Sequence, residues 1–420
     1  MSFINLPWRD RPLLGNRDFA IAVAGRALSV LGDQVALVTL TLRLQETHAR
    51  PYLVALLLAA GLVPFVLLTR LAGRVADTVD SRRVLVTASL AQAFCCVPLI
   101  FARQPAELIV LVALIGAGAA FGQPTWQALV PRILGEQHLA AAISAQQTCS
   151  SLALVIGPAL GGTLAGVFGT RVPIAVDAAS FAVLAIAAMA VRTRRAGGRA
   201  RAQEPAAKRE RGGWAVLRSD SIIAPLVAGL VAFVLLVQMV SVVLVFLVRG
   251  TLHASPAWYG GVEAAWMVGV IAGAAVCARI RADGFRAQVA LLGLGLIAAA
   301  ITGYGFAPDV LAVTLLAVLG GLGNGLMNSC VSTLVVTRTD HQLRGRVSAA
   351  LNGAVNGASV VSFAVGGGLA AWLAPRDICL IAGALGLTAA TIAAARVTAA
   401  TRRPAVGGPM IAEDFGPSRS

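Results

Sequence analysis

The chain has 420 residues, of which 58% are hydrophobic and only 13% charged, and its mean hydropathy is +0.81. A soluble domain carries roughly a quarter charged residues, so this composition excludes an ordinary soluble protein and predicts one embedded in a lipid bilayer. The formal net charge is +15, but the basic residues fall between apolar runs rather than on one polar face. They therefore do not indicate a nucleic-acid partner.

Twelve apolar runs are long enough to cross a bilayer, which takes about 20 residues. In the first half of the chain they are 18–42, 52–72, 84–104, 107–130, 140–167 and 171–191. In the second half they are 222–248, 257–278, 287–306, 308–336, 346–373 and 377–397. The first run is too long for a signal peptide and lacks a small-residue cleavage site, so we expect it to remain as a helix.

The arginines are concentrated in alternate loops between these runs. One set of loops carries Arg74, Arg82, Arg83, Arg132, Arg279, Arg286, Arg338, Arg344 and Arg346. The other set carries fewer, namely Arg43, Arg50, Arg103, Arg171, Arg249 and Arg376. Cytoplasmic loops are enriched in basic residues, so the pattern predicts that both termini are cytoplasmic. Arginine greatly outnumbers lysine, which is typical of a GC-rich bacterial genome, and we expect a multi-pass protein of the bacterial inner membrane.

The two halves of the chain resemble each other. Ile143–Ala145 and Val347–Ala349 open equivalent helices, and these helices end in the glycine runs 161–162 and 366–368. The fold class predicted is all-α integral membrane, with two pseudo-symmetric six-helix bundles. The predicted units are a first bundle over 1–192, a basic cytoplasmic linker over 193–220, a second bundle over 221–398 and a cytoplasmic tail over 399–420.

The loop after the second run contains a spaced set of glycine, aspartate and basic residues, Gly73, Asp77, Arg82 and Arg83. This set resembles the signature loop of the major facilitator superfamily, a family of secondary transporters with twelve transmembrane helices. The resemblance implies that Asp77 accepts charge-assisted hydrogen bonds from the facing half and forms a latch. The sequence departs from the family pattern at Thr78, where a basic residue is usual, and at Asp80, where glycine is usual; these departures imply a weaker or differently paired latch.

The fifth run contains a second motif, formed by Gly157, Pro158, Gly161 and Gly162. Proline kinks a helix and glycines allow close helix packing, so ordinary packing is one interpretation. The motif also resembles the Gly-Pro motif of the superfamily's exporters, above all its proton antiporters. Segments 31–33 and 343–348 are similar to bacterial efflux members, in the branch with enterobactin-exporter-like and macrolide-efflux-like proteins.

Ionisable residues inside the apolar runs are the candidates for ion coupling, because each costs about 2.5–3.5 kcal/mol at the centre of a spanning helix. Arg26 and Asp33 are seven residues apart on the first helix, hence on one face and about 10 Å apart along its axis. Our hypothesis makes Asp33 the main proton-coupling carboxylate, Arg26 its charge partner and Glu263 a second candidate. We expect Asp177, near the end of the sixth run, to be a structural or solvated residue.

Uncharged polar residues recur at helical spacing: Gln123, Gln127, Gln238, Asn324, Asn328, Asn352 and Asn356. The resemblance implies that helices 1, 4, 7 and 10 line a central cavity, so these residues are candidates to face a substrate. Hydrogen bonding between helices is the alternative for each of them.

Motifs for other functions are not evident in the sequence. No Walker lysine, catalytic triad, zinc motif or paired-carboxylate arrangement is present, so we expect neither an enzyme nor a cofactor or metal. The predicted function is secondary active transport, as a monomeric proton-coupled exporter of drugs or siderophore-like metabolites. Its partners would be substrate, protons and lipids. The alternatives are a nutrient importer or facilitator of the same fold, and a non-transporting or lipid-handling membrane protein.

Overall fold

The computed structural model describes residues 16–47, 50–134, 138–193, 215, 218, 223–280, 282–339 and 343–402. The first half contains α1 (Arg17–Glu46), α2 (Pro51–Thr78), α3 (Ser81–Phe101), α4 (Pro105–Leu134), α5 (Leu139–Phe168) and α6 (Arg171–Ala190). The second half contains α7 (Ile223–Val245), α8 (Pro256–Cys277), α9 (Asp283–Phe306), α10 (Val310–Arg338), α11 (Arg344–Leu369) and α12 (Pro375–Arg402). Within the described ranges, twelve helices are long and apolar enough to cross a membrane, so the predicted count is confirmed.

The helix boundaries follow local sequence signals. Asp80 and Asp309 cap α3 and α10, because their side chains accept hydrogen bonds from the backbone N–H of Arg83 at 3.2 Å and of Ala312 at 2.8 Å. Four helices (α2, α4, α8 and α12) begin with proline, which suits the first turn, where its missing N–H has no partner to lose. Gly169 ends α5 with a φ of 72°, a conformation that favours glycine.

The packing of the helices repeats after six helices. In the first half the closely packed pairs are α1–α5, α1–α6, α2–α4, α3–α4 and α3–α6. In the second half they are α7–α11, α7–α12, α8–α10, α9–α10 and α9–α12. The halves meet through α2–α11 and α5–α8, which the same six-helix shift interchanges. Two pseudo-symmetric six-helix bundles are therefore confirmed as the fold.

Several helices extend beyond their predicted bounds, among them α1, α2, α4 and α12. Helix α2 continues to Thr78, so Gly73 and Asp77 lie on its last turns rather than in a loop, and only two residues separate α2 from α3. Helix α7 continues as a π-helical turn over Phe246–Thr251. The predicted linker 193–220 lies outside the described residues except at 193, 215 and 218, as does the predicted tail beyond residue 402.

Successive spanning helices alternate in direction, so the molecule has two distinct ends. We call the end where α1 begins and α12 finishes the termini end. The far end carries the connections α1–α2, α3–α4, α5–α6, α7–α8, α9–α10 and α11–α12.

Candidate functional site

A cavity of about 510 Å³ lies between the two halves. Its lining comes from α1, α2 and α5 of the first half and from α7, α8, α9, α10 and α11 of the second. Of the residues predicted to serve the site, Pro158, Gln238, Glu263 and Asn324 line this cavity. A binding site shared between two bundles is the arrangement that alternating access requires.

Glu263 is the one acidic side chain in this lining, and no lysine, arginine or histidine accompanies it there. Tyr259, Glu263 and Trp266 share a face of α8 because they are four and three residues apart. Tyr304 of α9 contributes another ring to the lining, and both tyrosines are close enough to Glu263 to interact with its charge. The cavity therefore combines one carboxylate with aromatic and aliphatic walls.

The cavity is bounded toward the far end by direct backbone contact between α5 and α8. A methyl group on Gly162 would lie 3.0 Å from Gly260 Cα, and one on Gly260 would overlap the carbonyl oxygen of Pro158. Gly157 and Gly161 of the same motif instead face α1, where added methyl groups would lie 2.6 Å from Gln34 Cβ and 2.8 Å from the Val35 carbonyl oxygen. The Gly-Pro motif thus packs α5 against its own half on one side and the facing half on the other.

Three further contacts join the halves near the far end. A methyl group on Gly367 of α11 would lie 2.6 Å from Ala55 Cβ of α2. The Tyr259 side chain of α8 lies against Thr41 of α1. An ion pair between Glu46, at the end of α1, and Arg249, in the π-helical turn after α7, is the third contact. These contacts close the far end of the cavity.

The halves separate toward the termini end. Helices α2 and α11 touch at Ala55 and Gly367, yet at their other ends methyl groups on Gly73 and Gly353 would meet no atom within 4 Å. Gln127 and Asn328, which lie in the termini-end portions of α4 and α10, are exposed. Among the described residues, the halves are therefore closed together at the far end and open at the termini end.

The structure leaves most of the predicted polar residues outside the 510 Å³ cavity. Asn328 donates a hydrogen bond from Nδ2 to the Asn324 carbonyl oxygen at 3.2 Å, one turn earlier on α10. The others outside the lining are Gln123 and Asn356, which are half-buried, and Gln127 and Asn352, which are exposed. Sequence reasoning missed the aromatic lining residues Tyr259, Trp266 and Tyr304, since ring-bearing residues in apolar helices resemble lipid-facing ones.

The predicted latch residues lie together at the termini end. Asp77 and Arg83 are exposed, and Gly73 is half-buried. Arg82 donates a hydrogen bond to the carbonyl oxygen of Met189 at the end of α6, within its own half. The departure at Asp80 has a local explanation, because this side chain caps α3.

Asp33 does not line the cavity, although the next residue, Gln34, does. Its carboxylate is half-buried and interacts with the charge of Arg26, as the seven-residue spacing predicts. It also interacts with Asp177 of α6. Of the two roles expected for Asp177, the solvated one is wrong, because the residue is only 2% exposed and lies where α6 packs on α1 and α3; the structural one stays a prediction.

No group of three or more His, Cys, Asp or Glu side chains that could hold a metal ion occurs within the described ranges. The cavity lining, with one carboxylate among aromatic and aliphatic side chains, can bind a small molecule reversibly.

Comparisons with known proteins agree with this architecture. The Bacillus subtilis (strain 168) protein YfiS, an uncharacterized MFS-type transporter, is 26% identical over 390 residues, which cover 90% of this chain and 92% of YfiS. Macrolide efflux protein A of Streptococcus pyogenes is 23% identical over 203 residues, 47% of this chain and 50% of that protein.

Solved transporters share the fold at much lower sequence identity. The nucleoside transporter NupG superposes with a TM-score of 0.69 at 12% identity, covering 90% of this chain and 99% of NupG. A bacterial homolog of the human lysosomal transporter Spinster, in an inward-facing and occupied conformation, gives 0.67 at 13% identity, with 91% and 96% coverage.

The family model of the Major Facilitator Superfamily matches residues 22–283 and 235–411, which together span nearly the whole chain. The twelve helices, the repeat of six and the cavity between the halves agree with that match. The chain belongs to the major facilitator superfamily and is a transporter of this type.

Proposed function

We propose that the chain is a proton-coupled exporter of amphiphilic organic cations, working by alternating access. The observation that carries this proposal is the position of Glu263, the single acidic residue in a cavity that lies between the halves and is walled by aromatic rings.

The chemistry of the lining favours a cation. A carboxylate removed from bulk water binds a positive charge more strongly than the same group at a surface. The rings of Tyr259, Trp266 and Tyr304 add attraction of about 0.5–2 kcal/mol where a cation lies over a ring face. An anionic substrate would meet an unpaired carboxylate with no basic partner in the lining. An organic cation with apolar groups therefore fits better than an anionic metabolite.

The arginine distribution supports an orientation with the termini end in the cytoplasm. In that orientation the cavity opens to the cytoplasm and the far-end contacts close it to the outside. Export then requires the far-end contacts to separate and the termini end to close, which would bring the latch residues around Asp77 toward the facing half. The Gly-Pro motif of α5 and the names of the efflux relatives support this direction.

Proton coupling needs carboxylates that exchange protons as the halves rock. Glu263 lies where it would bind either a proton or the substrate cation, so that entry of one displaces the other. Asp33, with Arg26 as its charge partner, is the second exchange site. A membrane voltage adds about 2.3 kcal/mol per 100 mV for each net charge moved, enough to drive accumulation.

A cellular efflux assay tests the proposal. Cells that overproduce the protein should retain less ethidium or tetraphenylphosphonium than control cells, and a protonophore should abolish the difference. Glu263→Gln should remove the difference at equal protein levels, whereas Glu107→Gln, outside the cavity at the start of α4, should keep it. Equal retention of both cations in overproducing and control cells would contradict the proposal.

A further inference from the structure

A second carboxylate lies inside the first half, away from the cavity. Asp177 is 2% exposed. Cys96 Sγ donates to its Oδ2 at 3.7 Å, and Ser180 Oγ donates to its Oδ1 at 3.3 Å and to its backbone carbonyl oxygen at 2.8 Å. Both donors are neutral, and no basic side chain forms an ion pair with Asp177 in the described part of the chain.

Glycine at position 32 lets this carboxylate approach α1 closely. A methyl group there would lie 2.6 Å from Asp177 Oδ1, so the carboxyl group rests on the backbone of α1 beside Asp33. The two carboxylates interact electrostatically. Two acidic groups are therefore neighbours between α1 and α6.

Ser29 adds an unsatisfied polar atom on the same face of α1. It is 0% exposed, and its hydroxyl has no hydrogen-bond partner among the residues that the structure describes. At 100° per residue, Ser29 projects between the directions of Gly32, which meets Asp177, and of Asp33. A buried hydroxyl without a partner is uncommon and costs about 1–3 kcal/mol. Ser29 therefore adds a buried hydroxyl to the face of α1 that carries Gly32 and Asp33.

The charges around this pair do not balance. The titratable groups that face it are Arg26 on α1 and the thiol of Cys96 on α3. With the thiol neutral, two ionised carboxylates and one arginine leave one net negative charge. An uncompensated buried charge costs several kcal/mol, so the pair requires one monovalent cation.

We propose that Asp33 and Asp177 together bind one proton, and that this is a second proton exchanged in transport, beside the one exchanged at Glu263. Asp33 is half-buried and adjacent to cavity-lining Gln34, so it takes the proton from water in the cavity. The proton then passes from an Asp33 oxygen to an Asp177 oxygen, and no bond to carbon changes. The transport role rests on the proposed function, whereas the binding of the proton stands apart from it.

Infrared spectroscopy of the purified full-length protein tests the binding directly. At neutral pH we expect a carbonyl stretching band from a protonated carboxylic acid in an apolar setting that persists in Glu263→Gln, and Asp177→Asn should remove this band. Asp33→Asn should remove it as well, because Asp177 is then the sole carboxylate opposite Arg26, and this half-exposed position tolerates the change more readily. Asp309→Asn, at an exposed helix cap, should retain the band.

Persistence of the band in both Asp177→Asn and Asp33→Asn would overturn the proposal. Loss of the band on adding sodium chloride, but not potassium chloride, would also overturn it by identifying a sodium site. A band that behaves as expected in a protein without gradient-driven efflux would support the proton site and contradict the proposed function alone.

Discussion

Arg249 Nη2, in the π-helical turn after α7, lies 3.9 Å from Glu46 Oε1 at the end of α1. The pair joins the second half to the first at the far end, and Arg249 also donates to the Ala254 carbonyl oxygen at 2.7 Å. The side chains of Arg249 and Glu46 are 23% and 46% exposed, so they form a partly solvated ion pair rather than a buried one. The close backbone contacts between α5 and α8 close the same end of the cavity and lie deeper in the protein.

Removing this ion pair should modestly raise the population of conformations that are open at the far end relative to those that are closed there. Exposed ion pairs contribute about 0.2–1 kcal/mol, which corresponds to at most about a fivefold change in the population ratio. Glu46→Gln is the cleaner variant, since Arg249 keeps its bond to Ala254. Labelling of an engineered far-end cysteine should be faster in this variant, while Arg50→Gln, an exposed charge at the same end, should label at the original rate.

The backbone contact at Gly260 should be far less tolerant. An alanine there would overlap the Pro158 carbonyl oxygen, and overpacking costs about 1–3 kcal/mol. We expect Gly260→Ala to weaken far-end closure and to lower efflux at least fivefold at equal protein levels. Gly261→Ala is the matched control, because its methyl group would meet no atom within 4 Å. Equal efflux in the two variants would show that this contact is dispensable.

Glu263 and the ring of Tyr304 should each contribute to binding of the substrate cation. Glu263→Gln should abolish efflux of tetraphenylphosphonium, because the neutral amide supplies no charge to bind the cation. Tyr304→Phe keeps the ring and should preserve binding, whereas Tyr304→Ala should weaken it by about 1 kcal/mol or more. Binding of the labelled cation to purified protein measures the affinity lost in Glu263→Gln and in Tyr304→Ala. Unchanged affinity in Glu263→Gln would place the cation elsewhere.

The cap at Asp80 gives a stability prediction at the signature motif. Asp80→Ala should cost about 0.5–2 kcal/mol because α3 loses its N-cap, while Asp80→Gly, the residue usual in the family, should cost only a few tenths. Thermal unfolding in detergent should therefore rank the proteins wild type, Gly and then Ala. If Ala and Gly were equally stable, the hydrogen bond to the Arg83 N–H would not be the reason for aspartate at this position.

The number, order and approximate bounds of the helices could be predicted from sequence because each span must be long and apolar. The end of α2 could not, since a helix that leaves the membrane is no longer constrained by hydropathy and continues to Thr78. The family was predictable because the signature motif, with its spaced glycine and aspartate, lies within one short stretch of sequence.

The site was only partly predictable, because the side chains that face the cavity depend on how each helix is rotated and packed. Glu263 was identified by its charge alone, and it does line the cavity. Asp33 was identified in the same way, yet it lies beside the cavity and next to Asp177. The burial of Asp177 depends on Gly32, on another helix 145 positions away in the sequence. Spacing within one helix carries no information about such a contact.

The most direct test of proton-coupled exchange is transport by purified protein in liposomes under an imposed pH gradient at zero voltage. Vesicles with an acidic lumen should accumulate labelled tetraphenylphosphonium as protons leave, and vesicles with an alkaline lumen should not. Liposomes with the Glu263→Gln protein should match protein-free liposomes in both cases. Accumulation only when the outside is acidic would indicate cotransport with protons and contradict the account, as would uptake that ignores the gradient.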